Sequence, residues 1–218
     1  MLASFLAPEW LVKPMTAVLE WFYGLTGNYG WAIIALTLVV RVVILPLTVY
    51  QMKSMKRMQE VQPLMKEIQE KYKDQPEKMN QEMMQLYRDQ KVNPFSGCLP
   101  LLIQMPFLYA IFAVLNAIHL SDAMFLGMNL DKPFLGLGIL TILSMFAQSW
   151  LSGAGNDPNQ KMMTYMMPLV FGFITFNMKS GIVLYWVVST IFGIVQQAIY
   201  PGFPKLKRST GTKGEAGA

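Results

Sequence analysis

Arg41 is the only charged residue between Asn28 and Tyr50, in the run Gly30-Trp-Ala-Ile-Ile-Ala-Leu-Thr-Leu-Val-Val-Arg-Val-Val-Ile-Leu-Pro-Leu-Thr-Val-Tyr50. A guanidinium in bare hydrocarbon costs at least roughly 2.5 to 3.5 kcal/mol on insertion scales, so Arg41 must face a polar or wet interior. No Asp or Glu falls in any of the long apolar runs to pair with it. Water, polar side chains or an anionic partner must therefore solvate it. Further polar side chains recur at helical spacing. Thr37 lies one turn before Arg41 and Thr48 two turns after it, and Gln104 sits in the second apolar run. Thr141, Ser144, Gln148 and Ser152 follow an i, i+3, i+7, i+11 stripe, and Tyr185, Ser189 and Gln196 form another with Gln197 beside them. Such groups attract charge and exchange hydrogen bonds. They do not make or break covalent bonds: there is no nucleophile-base pair and no phosphate loop, which argues against an enzyme. Cys98 and His119 are isolated, so neither a disulfide, a metal site nor a cofactor is expected.

The elements that position these residues follow from the charge pattern. Hydrophobic residues make up 53% of the 218 and charged residues 14%, a composition outside the soluble range. About 20 apolar residues at 1.5 Å rise cross a bilayer. The run 30–50 is long enough; no Asp, Glu, Lys or Arg occurs between Val92 and Leu120, and charge-poor runs cover Phe134–Asn156, Met162–Met178 and Gly181–Tyr200. The fold class is all-α: a polytopic membrane protein of five transmembrane helices, with a cytoplasmic helical hairpin and an N-terminal amphipathic interfacial helix.

In chain order, Met1–Trp10 lacks a positively charged n-region, a cleavage site and a lipidated-cysteine motif, so no removable signal peptide is expected. The extracytoplasmic segment 1–29 holds a helix over Pro8–Leu25, with Leu11, Met15, Val18, Leu19 and Phe22 on one face and Gly27 as its stop. That helix either lies on the membrane surface, packs on the bundle, or does both. After the first transmembrane helix, 30–50, the segment 51–92 carries nine Lys or Arg and seven Asp or Glu, and its apolar residues keep a helical period. It reads as a helical hairpin with its turn at Lys73–Pro76, Pro76 entering the second helix. Seven of the 18 methionines sit there, to join the two helices or to meet varied apolar partners. Segment 93–200 holds helices two to five; the second is expected to kink at its prolines, and 121–133 reads as a polar connection. Residues 152–159 read as a flexible loop, and 201–218 as a short, basic, disordered cytoplasmic tail.

With the N-terminus outside, the inner segments hold 14 Lys or Arg and the outer ones three, Lys13, Lys132 and Lys179. The excess places the N-terminus outside and the C-terminus in the cytoplasm. The net charge of +5 is explained by this distribution, and direct nucleic-acid recognition is not expected. In that orientation the polar residues concentrate in the cytoplasmic half. A hydrophilic cavity open to the cytoplasm, with Arg41 at its deepest point, is the expected arrangement. For a single Ser or Thr the simpler reading is a hydrogen bond between helices, contributing around 1 kcal/mol or less.

Several motifs together resemble the YidC/Oxa/Alb family of membrane protein insertases, in particular short bacterial YidC members without a large extracytoplasmic domain. They are Val40-Arg41-Val42-Val43-Ile44-Leu45-Pro46-Leu47-Thr48, Gln81–Tyr87, Lys91-Val92-Asn93-Pro94, Cys98–Pro106 and Ser180-Gly181-Ile182-Val183-Leu184-Tyr185-Trp186. The resemblance implies a five-helix core, a mobile cytoplasmic hairpin and a groove that receives hydrophilic segments of nascent membrane proteins. The family's groove arginine matches Arg41, and its groove glutamine and aromatic positions look like Gln148 and Trp186, with Tyr185 beside the latter. Gln104, Ser189, Gln196 and Thr48 complete the expected groove. Location in the bacterial cell membrane follows, with nascent chains and the lipid bilayer as partners. The Sec translocon, ribosome and signal-recognition pathway are further partners the resemblance suggests through the hairpin and tail. The tail is shorter than the basic extensions of longer relatives, which argues against strong autonomous ribosome docking. A foldase that only assists the Sec translocon is the alternative within the family. An anion transporter is the rival outside it, and would need a polar lining in the outer halves that these sequences lack.

Overall fold

The computed structural model of the chain describes residues 8–93, 99–118, 123–151 and 158–199. Its described residues form eight helices and one two-stranded antiparallel hairpin. Helix α1 (Glu9–Thr26) starts after Pro8 and ends where Gly27 takes a left-handed conformation, its N–H bonding the Tyr23 carbonyl. Its apolar stripe does pack. Met15 and Leu19 are buried, and Leu11, Val12, Val18 and Phe22 close on the same core, while Trp10 and Trp21 stay exposed on the other side.

Helix α2 (Tyr29–Val43) is capped by Asn28, whose side-chain oxygen accepts from the Gly30 N–H at 2.8 Å. The stretch 30–50, expected as one transmembrane helix, is not straight. It breaks at Ile44, and α3 (Leu45–Lys71) leaves at 62° to α2. Pro46 supplies the reason: it has no N–H to continue the α2 ladder, yet fits the first turn of a new helix, where no donor is needed. The first arm of the hairpin therefore begins at Leu45 and runs through the expected boundary at 51 without interruption. Arg41 lies in the last turn of α2 instead of mid-helix.

The second arm, α4 (Pro76–Asp89), begins at Pro76 as expected. None of its residues is buried. Met79 and Met83 are half-buried, and with the exposed Met84 they line a groove of about 430 Å³ together with Asn80 and Tyr87 of the same arm and Gln69 of the first.

Helix α5 (Leu99–Ala117) continues through Pro106. The connection after it, expected to be merely polar, contains β1 (Met124–Phe125) and β2 (Met128–Asn129), paired antiparallel. Leu126 and Gly127 at its tip both have positive φ, 47° and 80°, as a tight two-residue turn requires. Helices α6 (Leu135–Leu151), α7 (Pro158–Thr175) and α8 (Ser180–Ile199) complete the chain. The loop expected at 152–159 falls mainly outside the described residues, as do the tail 201–218, Cys98 and His119.

The core is organised on α8, which packs against α6, α2 and α5. Its residues Ser180–Tyr185 are all buried, against Ile33, Leu36, Ile111, Leu115 and Leu130. The β-hairpin is fastened to the starts of two helices. Asn28 donates its side-chain N–H to the Met124 carbonyl at 2.9 Å. The N–H of Gly181 bonds the Leu130 carbonyl at 2.9 Å and that of Ser180 the Lys132 carbonyl at 3.1 Å, and Lys179 pairs with Asp131 at 2.6 Å. One end of the bundle is closed by this strap, and the α3–α4 hairpin leaves from the other.

The exterior is apolar where a water-soluble protein would be polar. Val42, Val43, Leu143, Phe173 and Ile199 are each 59% exposed or more. Such a surface suits lipid, against which every backbone group must be satisfied within the helix. Among the described residues, Ser180–Ile199 is long and apolar enough to cross a membrane unaided. The bent pair α2–α3 passes the same test jointly, and Gln104–Ala117, Leu135–Leu151 and Tyr165–Thr175 are shorter apolar stretches.

Candidate functional site

Helix α8 carries two polar stripes. At 3.6 residues per turn, Tyr185, Ser189 and Gln196 share one face, while Trp186, Gly193 and Gln197 share a second, offset by about 100°. The two stripes meet different helices.

On the first stripe, Gln104 of α5 donates from Nε2 to the Tyr185 phenol oxygen at 2.9 Å. Tyr185 is 1% exposed. Ser189 lies beside the same phenol, and the Arg41 guanidinium interacts with it electrostatically. Closer to the hairpin end, Gln196 donates from Nε2 to the Thr48 hydroxyl at 2.7 Å. Thr48 in turn donates to the Leu45 carbonyl at 2.9 Å. This one hydroxyl ties α8 to α3 just past the bend.

On the second stripe, Trp186 stacks on Phe171 of α7, ring centroids 5.0 Å apart and planes at 25°. Its indole N–H is buried without an acceptor. Gln148 of α6 lies against Gly193: a Cβ built there would stand 3.0 Å from Gln148 Nε2. A side chain at 193 would press on this amide, which would have to shift by a few tenths of an ångström.

The structure thus joins Arg41, Gln104, Tyr185 and Ser189 in one set and Thr48 with Gln196 in another. Gln148 and Trp186 belong to the neighbouring face of α8. The reading of isolated hydroxyls as interhelical bonds is corrected for most of them. Thr37 donates to Ile33, Thr141 to Leu137, Ser144 to Thr141 and Thr190 to Trp186, each to a carbonyl of its own helix. A hydroxyl in an apolar bundle takes the carbonyl always within reach, three or four residues back. Thr48 also accepts from Gln196, Ser180 donates to the Lys132 carbonyl of the strap, and the buried Ser189 hydroxyl has no partner.

Sequence reasoning missed Gln51, which is 4% exposed with its amide nitrogen unpartnered. Its spacing of three from Thr48 was the available signal, hidden by ending the apolar run at Tyr50. Phe171 and Gly193 were missed too, because a contact partner on another helix leaves no local signature. Among the described residues no carboxylate pairs with Arg41, and no group of His, Cys, Asp and Glu could hold a metal. This arrangement can attract an anion and exchange hydrogen bonds with a polar chain.

A helical bundle with an apolar exterior, a polar seam along its central helix and an arginine with no carboxylate partner among the described residues marks a membrane protein with a polar site inside the bundle. Residues 21–205 match the family described as the 60Kd inner membrane protein, and the chain belongs to that bacterial inner membrane protein family. It is 45% identical over 192 residues to a membrane protein insertase YidC of Cupriavidus taiwanensis, covering 86% of this chain and 34% of that protein. To the membrane protein insertase YidC of Wolinella succinogenes it is 46% identical over 191 residues, covering 85% of this chain and 36% of the relative. The chain thus spans about a third of the length of these curated relatives. A crystal structure of the active YidC insertase with its first transmembrane domain resolved superposes with a TM-score of 0.72 at 30% identity, over 84% of this chain and 44% of that one.

Proposed function

We propose that this chain is the core of a membrane protein insertase, which moves hydrophilic segments of nascent membrane proteins into the bilayer without covalent chemistry. The observation that carries the proposal is Arg41. It is half-buried, interacts with the neutral Tyr185 phenol and has no carboxylate partner among the described residues. A cation held this way is available to an anionic guest. The relatives named as insertases support the same reading.

In this proposal the bent pair α2–α3 and helices α5 to α8 are the five spans. The N-terminus lies outside and the C-terminus in the cytoplasm, on the strength of the 14-to-three distribution of Lys and Arg. The α3–α4 hairpin and the tail then face the cytoplasm, and the β-hairpin strap closes the outer end. Arg41, Thr48, Gln104, Gln148, Tyr185, Trp186, Ser189 and Gln196 line the path of the cargo. An acidic tail entering from the cytoplasm is drawn to Arg41, and its hydrophobic segment then leaves into lipid. The charge pair offsets part of the desolvation cost without holding the cargo, which suits transfer better than storage. An inside-negative potential adds roughly 2.3 kcal/mol per outward-moving negative charge per 100 mV. The Sec translocon, the ribosome and the signal-recognition pathway are candidate partners for the hairpin, whose α4 leaves Met84 exposed.

Reconstitution into liposomes free of translocon tests this reading, with single-span substrates whose translocated tails are acidic or neutral. Wild-type protein inserts both, and the acidic one better. Arg41→Ala lowers insertion of the acidic substrate by about ten-fold, the equivalent of one partly screened charge contact. Arg41→Lys retains most of it, since the role needs a charge and not a planar fork. Equal insertion of the acidic substrate by wild type and Arg41→Ala would exclude the electrostatic mechanism.

A further inference from the structure

The charges of the α3–α4 hairpin are unevenly placed. Residues 61–80, which include the turn, carry four Lys and four Asp or Glu, whereas the ends nearest the bundle, 51–60 and 81–92, carry five Lys or Arg and three Asp or Glu. The whole positive excess of the hairpin sits at its base. After Glu20 the next carboxylate is Glu60, so Lys53, Lys56 and Arg57 of α3 come before any acid. Lys56 reaches Glu60 at 3.7 Å, but Lys53, Arg57, Arg88 and Lys91 form no ion pair among the described residues. All four are exposed. Their setting on α3 is graded. Pro46, Tyr50, Lys53 and Arg57 follow an i, i+4, i+7, i+11 stripe that is exposed throughout, Tyr50 to 66%, with the exposed Leu47 beside it. Tyr50 to Arg57 spans about 10 Å of helix. Apolar, then aromatic, then basic is the order of side chains that suits a bilayer surface, from hydrocarbon out to phosphate. On the other arm, Arg88 lies in the last turn of α4 and Lys91 follows in a left-handed conformation, φ 52°. These two cations line a cavity of about 340 Å³ with Met84, Tyr87, Val92 and Asn93.

We propose that the base of the hairpin is a binding surface for the headgroup phosphates of acidic phospholipids, with Lys53 and Arg57 acting from α3 and Arg88 and Lys91 from α4. This rests on the placement of the hairpin on the cytoplasmic side and not on the role given to Arg41. The position of the charge selects lipid over other polyanions. A nucleic acid approaching from the cytoplasm would meet the charge-balanced turn first, whereas the unpaired cations lie just past the apolar and aromatic residues, where headgroups are. Arg and Lys beside apolar side chains suit a ligand that is anionic at one end and greasy at the other. The same contacts act on the limb beyond the 62° bend at Ile44. A leaflet rich in acidic lipid therefore holds the start of α3 at the membrane surface.

The test titrates the full chain in detergent micelles with phosphatidylglycerol and, separately, with phosphatidylcholine, and counts bound lipid by native mass spectrometry. Wild type is expected to prefer phosphatidylglycerol. Lys53→Gln with Arg57→Gln should lower that preference about ten-fold, since each cation near an anionic lipid surface is worth about five-fold and salt screens part of it. Arg88→Gln with Lys91→Gln should lower it as well. Lys71→Gln with Lys73→Gln, which removes the same charge near the turn, should leave it unchanged. Equal loss in all three double variants would mean that net charge alone attracts the lipid, and overturns the proposal, as does no loss at the base. Displacement of the lipid by excess soluble glycerol phosphate would assign the surface to free anions instead. Weaker RNA binding by the base variants, with phosphatidylglycerol binding intact, would likewise assign it to nucleic acid. Should a base variant fail to fold, Lys53→Arg with Arg57→Lys must bind as wild type does, and wild-type binding must weaken as salt rises; failure of either is equally decisive. The measurement uses no cargo, so a failed Arg41 test leaves this proposal standing, and its own failure leaves the insertion reading standing.

Discussion

Gln196 donates a 2.7 Å hydrogen bond to the hydroxyl of Thr48, a residue 148 positions earlier in the chain. The bond joins the last turns of α8 to the first turn of α3, immediately beyond the 62° bend at Ile44. Thr48→Val keeps the shape and removes the acceptor, leaving the Gln196 amide unpaired in a part-buried place. Loss of about 1 to 2 kcal/mol of stability is expected. The double variant Thr48→Val with Gln196→Leu should lose less than the sum of the singles. Denaturant unfolding in detergent micelles would measure both.

Gly30 is where the strap meets α2. A Cβ placed there would lie 2.1 Å from Phe125 Cγ, and the Phe125 ring also meets Trp31 edge-on, centroids 5.4 Å apart. Gly30→Ala should therefore destabilise by about 1 to 3 kcal/mol, the range for forced overpacking. Phe125→Ala, which removes Cγ and the ring, should in the same chain recover part of that loss. Additive effects in the two-variant cycle would show that the clash is absorbed elsewhere.

Leu126 occupies a left-handed conformation, φ 47°, at the tip of that strap and is 79% exposed. A branched side chain is strained there by about 1 kcal/mol or more, whereas Asn and Gly are not. Leu126→Asn or Leu126→Gly is expected to raise the unfolding midpoint. An unchanged or lower midpoint would mean that the leucine contributes a lipid contact worth as much as the strain it bears.

Glu9 and Lys13 pair at 2.7 Å across one turn of α1. The hydrogen bond and then the charge of Lys13 hold the Glu9 pKa below its ordinary 4.5, and Glu9 raises that of Lys13 above 10.5 by the same two causes. A lowered carboxylate pKa contributes stability that is complete above 4.5 and fades as pH falls through the lowered value. The raised ammonium pKa contributes below 10.5 and fades as pH rises through the raised value. Both groups are exposed, so the effect is small. Wild type and Glu9→Gln should differ slightly in unfolding midpoint near neutrality and converge in acid, and high salt should shrink the difference.

Most helix limits were legible in the sequence. The stripe from Leu11 to Phe22, the stop at Gly27 and the entry at Pro76 all recur as observed, because helix formation is settled by near neighbours and caps. The short joint before α8 was legible for the same reason. The two-stranded strap was not: its strands are two residues each and depend on Asn28, Ser180 and Gly181, which lie far away in the chain.

By itself, the sequence determined that an uncompensated arginine lies in an apolar run and that Gln104, Gln148, Tyr185, Trp186, Ser189 and Gln196 are polar or amphipathic positions among apolar ones. A charge count and a helical period suffice for that. Only the tertiary structure decided which of them meet: Gln104 with Tyr185, Gln196 with Thr48, and Trp186 with Phe171 on the neighbouring face. It also decided that Thr37, Thr141, Ser144 and Thr190 turn back onto their own helices. The physical reason is that a helix is closed by bonds three and four residues away, whereas contacts between helices depend on how far each is rotated and shifted against the others. The bend at Ile44 shows both levels at once. Pro46 permits it locally, and the Thr48–Gln196 bond, available only once α8 is in place, holds the limb beyond it.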